Sequence, residues 1–440
     1  LQLPPRSRLA RDTHTGGAPD VIRKEVLANG LTLLTETMPD VRSVSIGVWL
    51  RRGSRDEPAR INGISHFIEH LVFKGTESRT AKQIALQMDM VGGQMDAFTS
   101  KEYTCFYAKV LDEHQDVAVD LLADIVQRPL FDAVELERER QVVLEEIRMV
   151  EDTPDELLYD LFSSHFYPAH PLGRPIQGTH ESVRGLSRRQ LLGFFREAYR
   201  PANMLIVAAG NVRHARMSRM VRKAFAGLAP GRSRDGRKAR PRPRAAIVTR
   251  RRRELEQLHL LLGLPAYARA LDERYALHVW NTILGGTMSS RLFQRVREER
   301  GLAYNVYSAV NTFADTGLVT IYAATSPKRA RAVVRLVIDE LRALRDAGPS
   351  LEELTVAKEH LKGSLMLSLE STSSRMSNLA RQEIYFGRQV TLEETLAGIE
   401  RVSRERLVRL ARRLLARRPL GLAAVGRLAQ LRLRAQDLVV

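Results

Sequence analysis

One cysteine, Cys105, stands among 440 residues, so neither an internal disulfide nor a cysteine-rich metal cluster can form. It lies in the β-like run Tyr103-Thr104-Cys105-Phe106-Tyr107 and reads as a core residue. No run of about eighteen apolar residues occurs, which excludes a transmembrane helix of ordinary length and predicts no membrane partner. The longest apolar stretches, such as Met204 to Ala209, are strand-sized. Residues Leu1 to Arg8 contain no apolar h-region, so they are not expected to act as a secretory signal, and the cytoplasm is the expected compartment. Aromatic residues are scarce, at 6%, and none interleaves the arginines at 232–253 or 401–418. A stacking platform for single-stranded nucleic acid would need that interleaving. The 69 Lys+Arg against 51 Asp+Glu, a net +18, are therefore assigned to a linker and a solvated helix face, and no nucleic-acid partner is expected.

What is present is a chain long enough for two to three domains, with 44% hydrophobic residues. The Pro, Gly and Arg of 230–252 have linker chemistry and divide the chain into halves of similar length. The halves repeat one order of elements. A strand at Ser43–Leu50 precedes a helix ending at Lys74-Gly75-Thr76, a helix at Ala81–Val91, and a strand from Asp96 to Val110. Beyond the linker, a strand at Leu258–Leu264 precedes a helix at Tyr275–Leu284 ending in Gly285-Gly286-Thr287, a helix at Ser290–Arg300, and strands between Tyr304 and Ala324. Each set is followed by an amphipathic helix and then a long charged one, at 133–151 and 351–370. This pattern predicts an α+β fold of two homologous domains, each a mainly antiparallel sheet covered by helices. The expected divisions are an N-terminal extension at 1–20, a metal-binding domain at 21–229, the linker at 230–252, and a C-terminal domain at 253–440.

The strongest local signal is His66-Phe67-Ile68-Glu69-His70. Histidines four apart lie one helical turn apart on one face, so both imidazoles can reach one ion, and Glu69 projects near that face. Composition alone would produce the pattern about 0.03 times per chain. Ile64, Phe67, Ile68 and Leu71 make the helix largely apolar, where an unpaired His-Glu-His group would be costly. A catalytic zinc takes three protein ligands, and no third histidine has helpful spacing. The helix 133–151 offers Glu135, Glu137, Glu139, Glu145, Glu146 and Glu151 as carboxylate donors. Glu139 and Glu146, seven apart, share a face, but spacing does not choose among the six.

His66-x-x-Glu69-His70, followed 76 residues after His70 by Glu146, resembles the pitrilysin/insulysin family of zinc peptidases, in its mitochondrial-processing-peptidase-like branch. The resemblance runs from about Val21 to near the end of the chain. It extends to Gly92-Gly93-Gln94-Met95-Asp96-Ala97-Phe98-Thr99, His170-Pro171-Leu172-Gly173, Asn203-Met204, and Ser290 to Tyr304. It implies one zinc per chain on His66, His70 and Glu146, with Glu139 behind the ligands and Glu69 as general base. Arg297 and Tyr304 would orient substrate and stabilise the oxyanion. An extended peptide or unfolded segment would pair along Asp96, Ala97, Phe98 and Thr99, where the family often has Asn in place of Asp96. Two such halves would close as a clamshell, opening about the linker, and two chains would pair as a homodimer. The competing reading is a non-catalytic scaffold of the same fold, as in core subunits of respiratory complexes. Such relatives typically lose parts of the metal motif, whereas this chain retains all four residues.

Overall fold

The strand β3 alternates strictly. Val44, Ile46, Val48 and Leu50 enter one apolar cluster, while Trp49 enters another on the opposite face. A strand apolar on both faces must be covered on both, and this requirement shapes the whole molecule. The computed structural model describes residues 22–231, 239–416, 419–429, 431 and 433–440. The expected extension at 1–20 and residues 232–238 of the expected linker lie outside the described residues.

The first half runs β1 (Ile22–Val26), β2 (Thr32–Thr37), β3 (Ser43–Leu50), α1 (Ile64–Leu71) and α2 (Ala81–Met90). The hairpin β4 (Gln94–Thr99) and β5 (Thr104–Leu111) follows. Next come α3 (Gln115–Gln127), α4 (Ala133–Asp152), α5 (Pro154–Phe166), α6 (His180–Arg184) and α7 (Arg188–Ala198), and the half ends with β6 (Met204–Gly210) and α8 (His214–Ala224). The second half runs β7 (Ile247–Arg251), β8 (Leu258–Ala266), α9 (Glu273–Asn281), β9 (Ala303–Thr312) and β10 (Gly317–Thr325). It continues with α10 (Ala330–Asp346), α11 (Leu351–Ser368), α12 (Thr372–Phe386), α13 (Leu392–Glu400), α14 (Arg404–Leu414) and β11 (Gly421–Gly426).

The sheets have the orders β1-β2-β6-β3-β5-β4 and β7-β11-β8-β10-β9. Each contains one parallel pair, β2 with β6 and β7 with β11, and is otherwise antiparallel. Apart from the extra β1, the topologies coincide, which is the expected α+β duplication. Three expectations change. The strand expected from Asp96 to Val110 is a hairpin, because Ser100 and Tyr103 close a turn by a backbone bond of 2.8 Å. The linker expected to run to residue 252 gives way to β7, an edge strand that exposes its arginines. The helix expected at Ser290–Arg300 contains a wider π turn at Phe293–Glu298.

The halves exchange helices. From the first half, α5 packs on β8 and β11 of the second sheet, placing Leu158, Phe162 and Phe166 against Leu261, Ala423 and Val425. From the second half, α12 packs on β3 and β6 of the first sheet, placing Met376, Leu379 and Ala380 against Trp49, Leu205 and Val207. Glycines on the central strands make room for this. A Cβ at Gly263 would lie 2.2 Å from the Phe162 ring, and one at Gly47 would lie 2.9 Å from Met376 Sδ. Buried charge adds to the join. Arg55 pairs with Glu102 at 2.6 Å and with Asp315 of the β9–β10 turn at 2.6 Å, and Glu102 also accepts the Ala314 N–H at 2.9 Å. The two halves are thus joined by exchanged helices and buried charge as well as by the connecting chain.

Candidate active site

Helix α1 is fixed at its N-terminus before any functional group is considered. Gly63 precedes it at φ 91°, and a Cβ there would lie 2.4 Å from the Gln177 carbonyl, so both backbone and space demand glycine. The buried Glu57 carboxylate accepts the Gly63 N–H at 2.8 Å, the Ser65 N–H at 2.9 Å and the Asn62 side-chain amide at 2.9 Å. This satisfies amide donors that the first helical turn would otherwise leave unpaired. Burial pushes the Glu57 carboxyl above its ordinary pKa, against the opposing pull of these donors. Sequence reasoning did not single out Glu57, although its place six residues before a pre-helical glycine is a cap-like signal.

The fully buried Ile64, Phe67, Ile68 and Leu71 turn the other face of α1, with His66, Glu69 and His70, toward α4 and β4. Asp132 caps α4, accepting the amides of Val134 at 2.8 Å and Glu135 at 3.1 Å. The two helices bring Glu146 Oε2 to 3.6 Å from His66 Nε2 and 3.5 Å from His70 Nε2. One donor atom from each of the three residues lies within 4.8 Å of the others. Glu139, one of the few buried carboxylates, accepts from His70 Nδ1 at 3.2 Å and pairs with Lys74 at 2.8 Å. The remaining glutamates of α4 are engaged elsewhere: Glu135 with Arg138, Glu137 with Arg140, Glu145 with Arg148, and Glu151 with His180.

The donor chemistry fits a zinc ion. Two imidazole Nε2 atoms and one carboxylate oxygen converge, and the Nδ1–H bond to Glu139 fixes the His70 tautomer with its Nε2 lone pair toward the site. Burial, with the adjacent His70, pushes the His66 pKa down to about 4 despite Glu146, so that imidazole is neutral and able to donate its lone pair. Burial would lower His70 as well, but the Glu146 and Glu139 carboxylates outweigh it and raise its pKa. The hydrogen bond from His70 holds Glu146 below its ordinary value. Burial raises Glu69, whose Oε2 accepts the Thr99 hydroxyl at 2.5 Å.

A cleft of about 710 Å³ opens beside these groups, between the halves. His66, Glu69, Phe98 and Thr99 line one wall, Glu156 and Asp160 of α5 another, and Val310–Thr312 of β9 a third. Strand β4 is the edge of its sheet, so one side of it has no strand partner among the described residues. Of the expected peptide-contacting run, Phe98 and Thr99 face this cleft, while Asp96 lines a neighbouring cavity and caps the Ala97 N–H at 2.7 Å. Arg297 and Tyr304 meet each other, with the guanidinium 5.1 Å from the ring centroid, but neither lines the cleft, and Tyr304 is 76% exposed. Tyr304 stands six residues along β9 from Val310, the nearest residue of that strand to line the cleft, about 20 Å of strand.

Comparison with known proteins identifies the family. Residues 32–180 match the family model described as Insulinase (Peptidase family M16), and residues 185–361 match the Peptidase M16 inactive domain. A protein of Mycobacterium tuberculosis named an uncharacterized zinc protease is 45% identical over 92% of this chain and 93% of its own length. One of the same description from Bacillus subtilis is 43% identical over 90% of this chain and 96% of its own. The fold is similar to a crystal structure titled peptidase M16 inactive domain from Pseudomonas fluorescens, with a TM-score of 0.86, 22% identity, and coverage of 92% of this chain and 98% of that one. It is also similar to a chain of complex III2 from Candida albicans, with a TM-score of 0.82, 20% identity, and coverage of 94% and 98%. Family matches across most of the chain, relatives above 40% identity and the two-half fold lead to one conclusion: the chain belongs to peptidase family M16.

Proposed function

We propose that the protein is a zinc-dependent endopeptidase acting on extended peptides or unfolded segments, with one metal per chain held by His66, His70 and Glu146. The observation that carries this reading is the convergence of those three donor atoms beside Glu69 in the cleft. A zinc ion held there supplies Lewis-acid polarisation of the scissile carbonyl and of the attacking water. Glu69 takes the water proton at Oε2 and returns it to the leaving amine, and its raised pKa strengthens it as a base. Thr99 holds the Glu69 carboxylate in place through its hydroxyl. The unpaired edge of β4 offers backbone groups to an extended chain, and that mode of recognition selects unfolded substrates over folded ones. One chain carries the complete donor set, so activity needs no different subunit, and a homodimer is the assembly we assign.

Incubation of the purified chain with an unfolded protein, with and without chelator, followed by mass spectrometry of the products, tests the reading. New internal cleavages that chelator abolishes and added zinc restores are expected. A zinc-loaded chain that cleaves nothing overturns the reading in favour of a scaffold, the role for which the complex III likeness, a likeness of fold alone, leaves room.

A further inference from the structure

The second half contains a cavity at the place that corresponds to the catalytic cleft of the first. Strands β4 and β9 correspond in register, since Thr99 lies opposite Thr104 and Thr312 opposite Gly317 in their hairpins. Helices α5 and α12 correspond through their N-caps, Thr153 and Ser371, a shift of 218 residues that sets Asn378 at the place of Asp160 and Arg381 at that of Ser163. The second cavity, of about 460 Å³, lies against α9, α11, α12 and β9, as the first cleft lies against α1, α4, α5 and β4.

Its charge differs. Glu69, Glu102, Glu156 and Asp160 line the first cleft together with Lys101 and Arg269, whereas the charged side chains lining the second cavity are all arginines, Arg269, Arg274 and Arg381. Among the described residues, none of these three arginines is within ion-pair distance of a carboxylate. The Arg269 guanidinium donates to the Thr312 carbonyl, at 3.3–3.4 Å, and lies 4.5 Å over the Tyr385 ring. Arg274 donates to the Tyr275 hydroxyl at 2.8 Å and lies 4.8 Å from the Phe386 centroid. Guanidinium groups held on aromatic faces inside a concave, partly apolar space keep their forks available for a planar anion. Burial together with Arg269 and Arg274 holds His278, on the same wall, below its ordinary pKa, as a positive field would. The cavity adjoins the cleft, with Arg269, Val310 and Thr312 lining both.

We infer that this cavity is a carboxylate-binding subsite for the substrate, receiving an acidic side chain or the C-terminal carboxylate of the peptide whose scissile bond lies at Glu69. The inference rests on the peptidase reading for its ligand. A bidentate guanidinium–carboxylate pair gives both affinity and direction, so this subsite would set which way the peptide runs through the cleft.

The test uses peptides of one sequence, labelled with an uncharged, carboxylate-free dye, in four forms, with Glu or Gln at one position and a free or amidated C-terminus. Their binding to the full-length, zinc-loaded Glu69→Gln protein is read by anisotropy. A peptide with one carboxylate is expected to bind about tenfold more tightly than the fully neutral one, as charge-assisted bonds to arginine warrant. The form that gains identifies whether a side chain or a chain end is read. Arg381→Gln and, separately, Arg274→Gln should reduce the preference to about twofold, while Arg381→Lys, which keeps charge but loses the fork, falls between. Equal binding of all four peptides, which needs no cavity variant to observe, overturns the inference. A preference that survives both glutamine substitutions also overturns it, since general attraction to a basic chain would behave so. If the zinc-loaded wild type cleaves nothing yet the preference holds and is lost with Arg381, the peptidase reading fails and the subsite stands.

Discussion

Superposing the sequences of the two halves at Gly75-Thr76 and Gly286-Thr287 sets Leu277, Trp280 and Asn281 where His66, Glu69 and His70 stand. Aligning the caps Asp132 and Ser350 likewise sets Ala357 at Glu139 and Ser364 at Glu146. Leu277, Trp280 and Ala357 are buried in the second apolar cluster or packed with it. The positions of the helix pair that face the metal site in the first half can therefore be filled with hydrocarbon. In the first half the same positions hold groups that are expensive to bury: a histidine whose Nδ1 has no hydrogen-bond partner among the described residues, and a carboxylate whose pKa is raised by burial. The fold does not require those groups, which locates their reason in chemistry.

The largest effect should come from the position where the halves differ most. Glu69→Gln is expected to retain zinc, measured by atomic absorption, and to lose about 10²–10⁴-fold in peptide turnover, because the amide cannot accept a proton. His66→Ala, His70→Ala or Glu146→Gln should lose metal and activity together, whereas Glu145→Gln, paired outward with Arg148, should change neither. A zinc-free Glu69→Gln protein would make Glu69 a ligand and break the comparison.

The exchanged helices sharpen it next. Phe162→Ala removes the ring seated on Gly263, and Met376→Ala the side chain seated on Gly47. Urea unfolding is expected to show losses of about 3–5 kcal/mol for the first and about 2–5 for the second. A loss below 1 kcal/mol at either site would mean that the corresponding crossing helix contributes little.

Asp124 of α3 and Asp339 of α10 correspond in the repeat but differ in burial. Asp124 is fully buried and accepts from Thr76 at 2.6 Å, Ser78 at 2.7 Å and Arg79 at 2.8 Å, while Asp339 is half exposed beside Arg342. Burial alone would raise the Asp124 carboxyl, yet these hydrogen bonds hold it below its ordinary value. A depressed carboxyl stabilises the fold above its unfolded pKa, near 3.9, and the gain is lost as pH falls through the folded value. Asp124→Asn should thus cost about 3 kcal/mol at pH 7 and lessen the decline in stability below about pH 4. Asp339→Asn should stay within about 0.5 kcal/mol at every pH. Chemical denaturation at a series of pH values distinguishes the two.

Smaller still, His66→Leu imitates Leu277 and removes the unpartnered Nδ1, so the metal-free protein should gain about 1 kcal/mol, read as a higher Tm, while zinc binding is lost. A lower Tm would show that the histidine is held by contacts beyond its ring nitrogens. A comparably small effect is expected at the exposed Arg297–Tyr304 stack, where Arg297→Ala or Tyr304→Phe should lower kcat/KM only a few-fold, about 1 kcal/mol, with zinc content unchanged. A loss approaching that of Glu69→Gln would place the pair on the reacting peptide.

Much of this was legible in the sequence because it follows from period alone. His66 and His70 four apart, and Glu139 and Glu146 seven apart, share helix faces whatever surrounds them, and the repeat of elements on either side of the linker predicts two sheets of one topology. Other features depend on which surface a face meets. Phe162 on α5 and Met376 on α12 give apolar stripes that read identically whether the helix covers its own sheet or its neighbour's, so the exchange left no trace. Glu57 was missed because a cap acting across six residues has no periodic signature. The resemblance alone gives Arg297 and Tyr304 their role, since no periodic pattern ties two residues of the second half to a cleft wall built by the first.

The reciprocal crossing of α5 and α12 makes the molecule, in effect, a tethered domain-swapped dimer. Neither half can bury both faces of its sheet by itself, since Trp49 and Leu205 wait for Met376 just as Leu261 and Val425 wait for Phe162. Two polypeptides cut between Gly231 and Ala239 would then behave as complementing fragments, each sticky alone and ordered together.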